Sequence, residues 1–318
     1  MRIVATRWAI SVPGVRKTAC GAIVIGLLSW PSVGALASPQ QTSESSPQSV
    51  TSSGDPKPDT VTIETQRQRN LIERQISTFV GEVATHFADE SIARWEPPVC
   101  PLVAGLSRGE GEFVLARLSQ IARNAGVLLG PEKCAPNFAI IATSNPQAML
   151  EKWWSRNPRL FIEDRGIGGV KQFISKDRPI RVWYNANNAC TLGAVEVEEG
   201  VAYPKCAVES HISAGVGWTH VRQIQSVIVV VDLGHIRSLS IGQITDYIAM
   251  VGLAQIRENP KLGTAPTILH LFDATGATRP QGLSSWDQAF LGALNSANQG
   301  TGMQVSLIKL RMKQNLIK

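Results

Sequence analysis

Apolar side chains along this chain recur at helical spacing in some stretches and on consecutive positions in others, which predicts helices alternating with strands. Ile72, Ile76, Phe79, Val83 and Phe87 return every third or fourth residue, the pattern of an amphipathic helix. Residues 94–101, Arg-Trp-Glu-Pro-Pro-Val-Cys-Pro, cannot continue it, because proline lacks the amide donor and clashes with the preceding turn. A second helix aligns Val114, Leu118, Ile121 and Ala125 and ends near Gly126. Residues 138–142 read as a short buried strand, after which Asn145-Pro146 starts a helix running through Trp153 and Trp154. Residues 180–184 and 226–231 are strands by β-branched content. The second is apolar on consecutive positions, so burial on both faces is expected. A helix over 240–256 places Ile241, Ile244, Ile248 and Val251 on one face, with Ser240 as its N-cap. A last helix starts at Ser284 or Ser285 and carries Trp286, Phe290, Leu291 and Leu294. The pattern is that of an α/β (α+β) chain whose sheet is covered by helices.

The ends of the chain change this picture. Arg2, Arg7, Arg16 and Lys17 precede an apolar run over residues 19–30, and Ala35-Leu36-Ala37 supplies small residues before Ser38. This is the layout of a secretory signal peptide over 1–37, cleaved after Ala37, and its apolar run is short for a membrane span. An uncleaved anchor is the alternative. Residues 38–60, rich in Ser, Pro, Gln and Thr, bury too little to offset their ordering entropy and read as a disordered linker. Residues 61–318 then form a single α/β domain, or two packed lobes at 61–175 and 176–318. Removing 1–37 takes four basic residues and no acidic ones, so the net charge of +6 falls to +2. Nothing in that balance marks a nucleic-acid partner, and no membrane span remains after cleavage. The basic C-terminal run Lys309, Arg311, Lys313 and Lys318 reads as a solvated helix face or tail.

Four cysteines remain after cleavage, Cys100, Cys134, Cys190 and Cys206. An even number in an oxidising compartment predicts two disulfides. Of the three connectivities, Cys100 with Cys134 and Cys190 with Cys206 is favoured, because each pair is near in sequence and brackets a loop-rich stretch. Cysteine zinc sites are usually built on C-x-x-C pairs, and none is present. Gly166-Ile167-Gly168-Gly169 follows no clear strand, so it reads as a flexible turn instead of a phosphate loop.

The stretch over residues 245–255, Thr-Asp-Tyr-Ile-Ala-Met-Val-Gly-Leu-Ala-Gln, resembles the active-site helix of zincin metallopeptidases of the metzincin branch, with the chemistry missing. Thr245, Ala249 and Gln255 stand where that family has three zinc-binding histidines. Asp246 stands at the glutamate position, and Gly252 at the turn. Residues 226–232 resemble the strand before that helix, 266–272 the methionine turn, and 283–294 the terminal helix. The resemblance extends to uncharacterised secreted proteobacterial proteins. It implies a zincin-like fold without metal or cofactor, since threonine and alanine supply no competent ligand.

What remains is a candidate cleft between the helix at 240–256 and the segment 264–272, with Asp246, Gln255 and His270 as polar lining. Asp246 itself reads either as a buried functional carboxylate or, more simply, as a first-turn charge favoured by the helix dipole. The expected function is a non-catalytic binding or structural module of the periplasm or cell surface, with a peptide or envelope protein as partner. The alternative is a hydrolase that uses Asp246 with His235 or His270 as acid and base, which requires both groups within about 3 Å of one reacting atom.

Overall fold

In a computed structural model of the chain the backbone is described for residues 58–84, 92–161, 166–190, 195–198, 201–204, 220–273, 278–297 and 301–317, and side chains for the same residues except 58–64, 188–221 and 301–302. The expected signal segment, most of the linker, Phe87, and the proposed pairing of Cys190 with Cys206 lie outside the residues so described. By contact the chain divides into Met1–Glu64 and Thr65–Lys318, and the sheet and core belong to the second unit.

The central strand is β7 (His220–Asp232). It pairs in parallel with β3 (Phe138–Thr143), which pairs in parallel with β2 (Pro101–Ala104). On its other edge β7 pairs antiparallel with β4 (Ile180–Cys190), with a register shift between Asn185 and Ala186. The two-residue β1 (Arg94–Trp95) lies parallel to β7 at Gln223 and Ile224. A separate hairpin joins β5 (Val195–Glu198) to β6 (Val201–Pro204). The expected α/β class is therefore observed, as a mostly parallel sheet with one antiparallel strand and helices on both faces. Strands from both halves of the chain share this sheet.

The alternation of β7 shows why consecutive apolar residues are needed there. Val227, Val229 and Val231 enter the large core, while Ile228 and Val230 enter a smaller one. The large core is filled by α1 (Pro58–Val83), α2 (Arg108–Asn124), α5 (Ile241–Leu253), α6 (Ser285–Ser296) and α7 (Thr301–Leu316). The smaller one collects Leu150 of α3 (Pro146–Arg156), Val170 and Phe173 of α4 (Gly166–Ser175), and Trp183 of β4.

Sequence fixes the helix starts by capping. Ser107 with Glu110, Ser240 with Gln243, and Ser284 with Asp287 each form a reciprocal capping box, and Asn145 caps α3 ahead of Pro146. Gly126, at φ 76°, follows the end of α2, a conformation that costs a glycine little.

Three expectations need correction. Residues 166–169 are the first turn of α4 and not a flexible turn; Val170, Phe173 and Ile174 give that helix a buried face that holds it on the sheet. Gly252 does not make a turn after α5 but lies within its last turn, where a Cβ would come 2.1 Å from Phe138 Cζ. The helix at 285–296 is not the last, since α7 follows with Ile308 and Met312 buried and Lys313 paired to Glu73 of α1.

One disulfide joins Cys100 to Cys134, with Cα atoms 6.0 Å apart, and pins the β2 start to the loop before β3. Gly130 packs against it.

Asp287 does more than cap α6. Its carboxylate accepts from the Thr267 hydroxyl, from Ile268 N–H at 2.9 Å, and from the N–H and hydroxyl of Ser284 at 2.9 and 2.8 Å. Burial raises its pKa, and those four bonds oppose the rise. Asp287→Ala would strand the buried Ile268 amide, the half-buried Ser284 amide and the Thr267 hydroxyl, so a loss of about 3–5 kcal/mol in chemical denaturation is expected. Asp287→Asn keeps one oxygen and the shape, and should cost only about 1–2 kcal/mol.

Candidate functional site

Helix α5 presents different sides to three neighbours, and these fix what each of its residues can do. Gly252 meets Phe138 of β3, and its carbonyl accepts from Trp95 Nε1 at 2.9 Å. Asp246 turns toward α2. Tyr247 and Val251, one turn apart, face a cleft of about 430 Å³.

Asp246 is held on all sides. Arg117 of α2 donates from Nε and Nη2 to its two oxygens at 2.7 and 2.8 Å, and Leu283 N–H donates at 2.8 Å. A Cβ on Gly282 would come 2.7 Å from the same carboxylate, so a glycine lets that loop approach. The side chain of Asp246 is 2 % exposed and that of Arg117 40 %. The carboxylate in turn raises the pKa of Arg117 through this hydrogen-bonded pairing. Asp246 thus ties α2, α5 and the loop before α6 together, and among the described residues no histidine is bonded to it.

The other positions of the zincin frame are equally committed. Thr245 is fully buried and donates its hydroxyl to Ile241 O at 2.6 Å. Ala249 is fully buried. Gln255 is buried and accepts from Arg222 Nε at 3.3 Å. His270 is half-buried in a short 3-10 turn, Ile268–Leu271. Asp246 and Gln255 bond to other partners, and none of Asp246, Gln255 and His270 is among the residues lining the cleft. The donor set at 245, 249 and 255 does not fit zinc, lacking any imidazole, thiolate or carboxylate.

The cleft lies at the outer edge of β4. One wall is the connection from α4 into β4, with Phe173, Lys176 and Arg178. The opposite wall is α5, the segment 256–262, and Leu269 with Phe272. Lys176 pairs with Glu258 and Arg178 bonds to Asn259, so two polar bridges join the walls. Tyr184 fixes the floor by donating its hydroxyl to the carbonyls at the C-terminus of α5, Val251 and Ala254.

The hydrogen-bond register decides what β4 offers there. Asp232 N–H donates to Pro179 O, so 179 and 232 form a bonded pair, and with them every second residue of β4 up to the register shift. Val227 N–H and Leu233 N–H donate instead toward β3, which confirms the alternation. The backbone groups of Ile180 and Val182 therefore point away from β7, toward the cleft they line, and take no protein partner among the described residues.

Two signals in the sequence could have pointed here: Arg181 in the otherwise apolar start of β4, residues 180–184, and Tyr247 four residues before Val251 on an apolar helix. Asp177, Asp232 and His235 gather at the end of β7 with ligand atoms within 4.8 Å of one another. His235 Nδ1 is 3.0 Å from Asp232 Oδ2, and burial lowers the pKa of nearby Arg181 while the charges of both acids oppose that fall. A metal there would displace an existing balance.

The chain matches no known protein family, no curated protein and no solved structure.

Removing Arg117 leaves a buried carboxylate with one amide donor, so Arg117→Ala should cost about 3–5 kcal/mol. Asp246→Ala leaves the part-buried Leu283 amide and an arginine that can turn to water, and the smaller loss, about 2 kcal/mol, is expected in the same urea titration. Tyr247 gives an independent check on the cleft wall. Burial, with Asp273 adding to it and Arg178 opposing, pushes its pKa from 10.0 up to about 12. The unfolded tyrosine loses its proton first, so the stability this side chain contributes is complete below about pH 10 and lost as pH rises toward about 12. Ultraviolet titration should show a late phenolate component that Tyr247→Phe abolishes.

Proposed function

We propose that this chain is an exported, non-catalytic binding module that takes an extended peptide as an added strand on the outer edge of β4. The observation that carries this is the conjunction of outward-directed backbone groups at Ile180 and Val182 with a cleft of about 430 Å³ beside them. Main-chain pairing along such an edge supplies affinity, and side-chain pockets on either side supply selectivity. Phe173, Val251, Leu262 and Phe272 offer apolar contact within the same cleft.

Export is supported by the signal-like residues 1–37 and by the Cys100–Cys134 disulfide, which suits an oxidising compartment. Among the described residues no helix is long and apolar enough to cross a membrane. A zincin-like ancestry is supported by the order of β7, α5, the 3-10 turn and α6. Loss of catalysis is supported by the side chains themselves. Thr245 and Ala249 cannot bind zinc, and Asp246 is neutralised by Arg117, so the hydrolase alternative lacks its acid-base pair.

The experiment is selection of peptides from a random library on the mature chain, followed by titration of the best binders. N-methylation at alternate peptide residues should weaken binding at least tenfold in one phase of the alternation and little in the other. Val182→Pro removes one outward amide without touching the bonds to β7, and should weaken the same peptides while leaving the melting temperature near that of the parent. No peptide selected, or binding insensitive to both changes, overturns the reading. Cleavage of the bound peptides would restore the hydrolase.

A further inference from the structure

Arg181 is 6 % exposed, on the edge strand β4, and it is not fully satisfied. Its Nη1 donates to Ile174 O at 2.7 Å, at the end of α4, but its buried Nε has no partner. Asp177 and Asp232 lie near enough to favour its charge, yet among the described residues no carboxylate comes within the 4.0 Å of an ion pair. Buried charged donors without acceptors are rare, because each costs its desolvation in full. Such a group calls for an explanation, and recognition of a ligand by the same guanidinium is one.

Arg181 also lines the cleft, between the outward-facing Ile180 and Val182. The cleft carries four basic side chains, Lys176, Arg178, Arg181 and Arg257, against two acidic ones, Glu258 and Asp273. Lys176 already has Glu258 as its partner and Arg178 has Asn259. With Lys176 balanced by Glu258, the three arginines outnumber the remaining acid, Asp273, and a guanidinium is the group whose planar donors match a carboxylate best.

We infer that Arg181 is the recognition point of this cleft for a carboxylate, and that the extended ligand on β4 is anchored there by a free C-terminus or an acidic side chain. This rests on the strand-addition reading and adds its chemical class. The carboxylate would accept from the Arg181 guanidinium beside its bond to Ile174 O, while the apolar walls hold the residues that precede it.

The test uses isothermal titration of the mature chain with acetylated tetrapeptides in three forms: free acid, C-terminal amide, and amide with a penultimate glutamate. It is repeated with Arg181→Gln and with the acetylated single amino acid at millimolar concentration. The free acid, or the glutamate amide, is expected to bind at least tenfold more tightly than the plain amide. Whichever of the two gains affinity identifies the source of the carboxylate. Arg181→Gln should abolish the difference while leaving the plain amide unchanged and the fold as stable as the parent or more so, since a poorly satisfied buried cation is removed. Equal affinity for all three forms overturns the carboxylate site and leaves strand addition standing. Binding of the single acetylated amino acid that depends on Arg181, without any peptide binding, supports the carboxylate site and overturns strand addition. No binding of any probe overturns both.

Discussion

A carboxylate cannot be taken out of water without a partner, and the burial of Asp246 dictates much of the arrangement around α5. Meeting it requires Arg117 to project from α2, Gly282 to let the loop come close, and Leu283 N–H to fill the remaining acceptor site. Those demands fix the rotation of α5 about its axis. With Asp246 turned to α2, successive residues at about 100° steps place Tyr247 and Val251 on the flank facing β4. The cleft is thus a consequence of where the ion pair sits, although none of its walls belongs to that pair.

Buried ion pairs are weak contributors to net stability and effective specifiers of register. Here one such pair and the Asp287 network divide the work of holding the elements that follow β7. Asp246 sets α5 against α2 and the loop entering α6, and Asp287 sets the start of α6 against Thr267 and Ile268. Segments joined at these two carboxylates cannot slide past one another without stranding amides. That is why the 3-10 turn, with few residues of its own in regular structure, can form a fixed wall of the cleft.

Most of the architecture was legible in the sequence because it depends on local rules. The Ser240 cap, the Asn-Pro helix start, the two-faced apolar run of β7 and the Cys100–Cys134 pairing all act over short distances or through composition. What escaped was nonlocal. Glycine at 252 looks like punctuation until the ring of Phe138, from a different strand, is placed against it. Residues 166–169 look like a turn until Val170 and Phe173 find Trp183 and Phe161. The site was less legible still. Asp246, Gln255 and His270 were chosen by chemistry and spacing, but a polar residue on an apolar helix is as readily spent on holding neighbours as on facing a ligand. Arg181 was overlooked because strand periodicity gives no weight to a single cation.

An open strand edge is a hazard, since its outward amides and carbonyls will pair with any unfolded chain that reaches them. The edge of β4 is managed by sinking it into a cleft instead of by charging it along its length. Lys176 with Glu258 and Arg178 with Asn259 tie the walls across it, and Arg257 and Asp273 border the opening. A ligand must therefore offer more than β-propensity to gain the backbone groups of Ile180 and Val182. It has to fit between the tied walls and bring a charge that the cationic interior accepts. The devices that protect the edge from indiscriminate pairing are then the same ones that would make pairing selective, which is the economy expected of a binding site built from an edge strand.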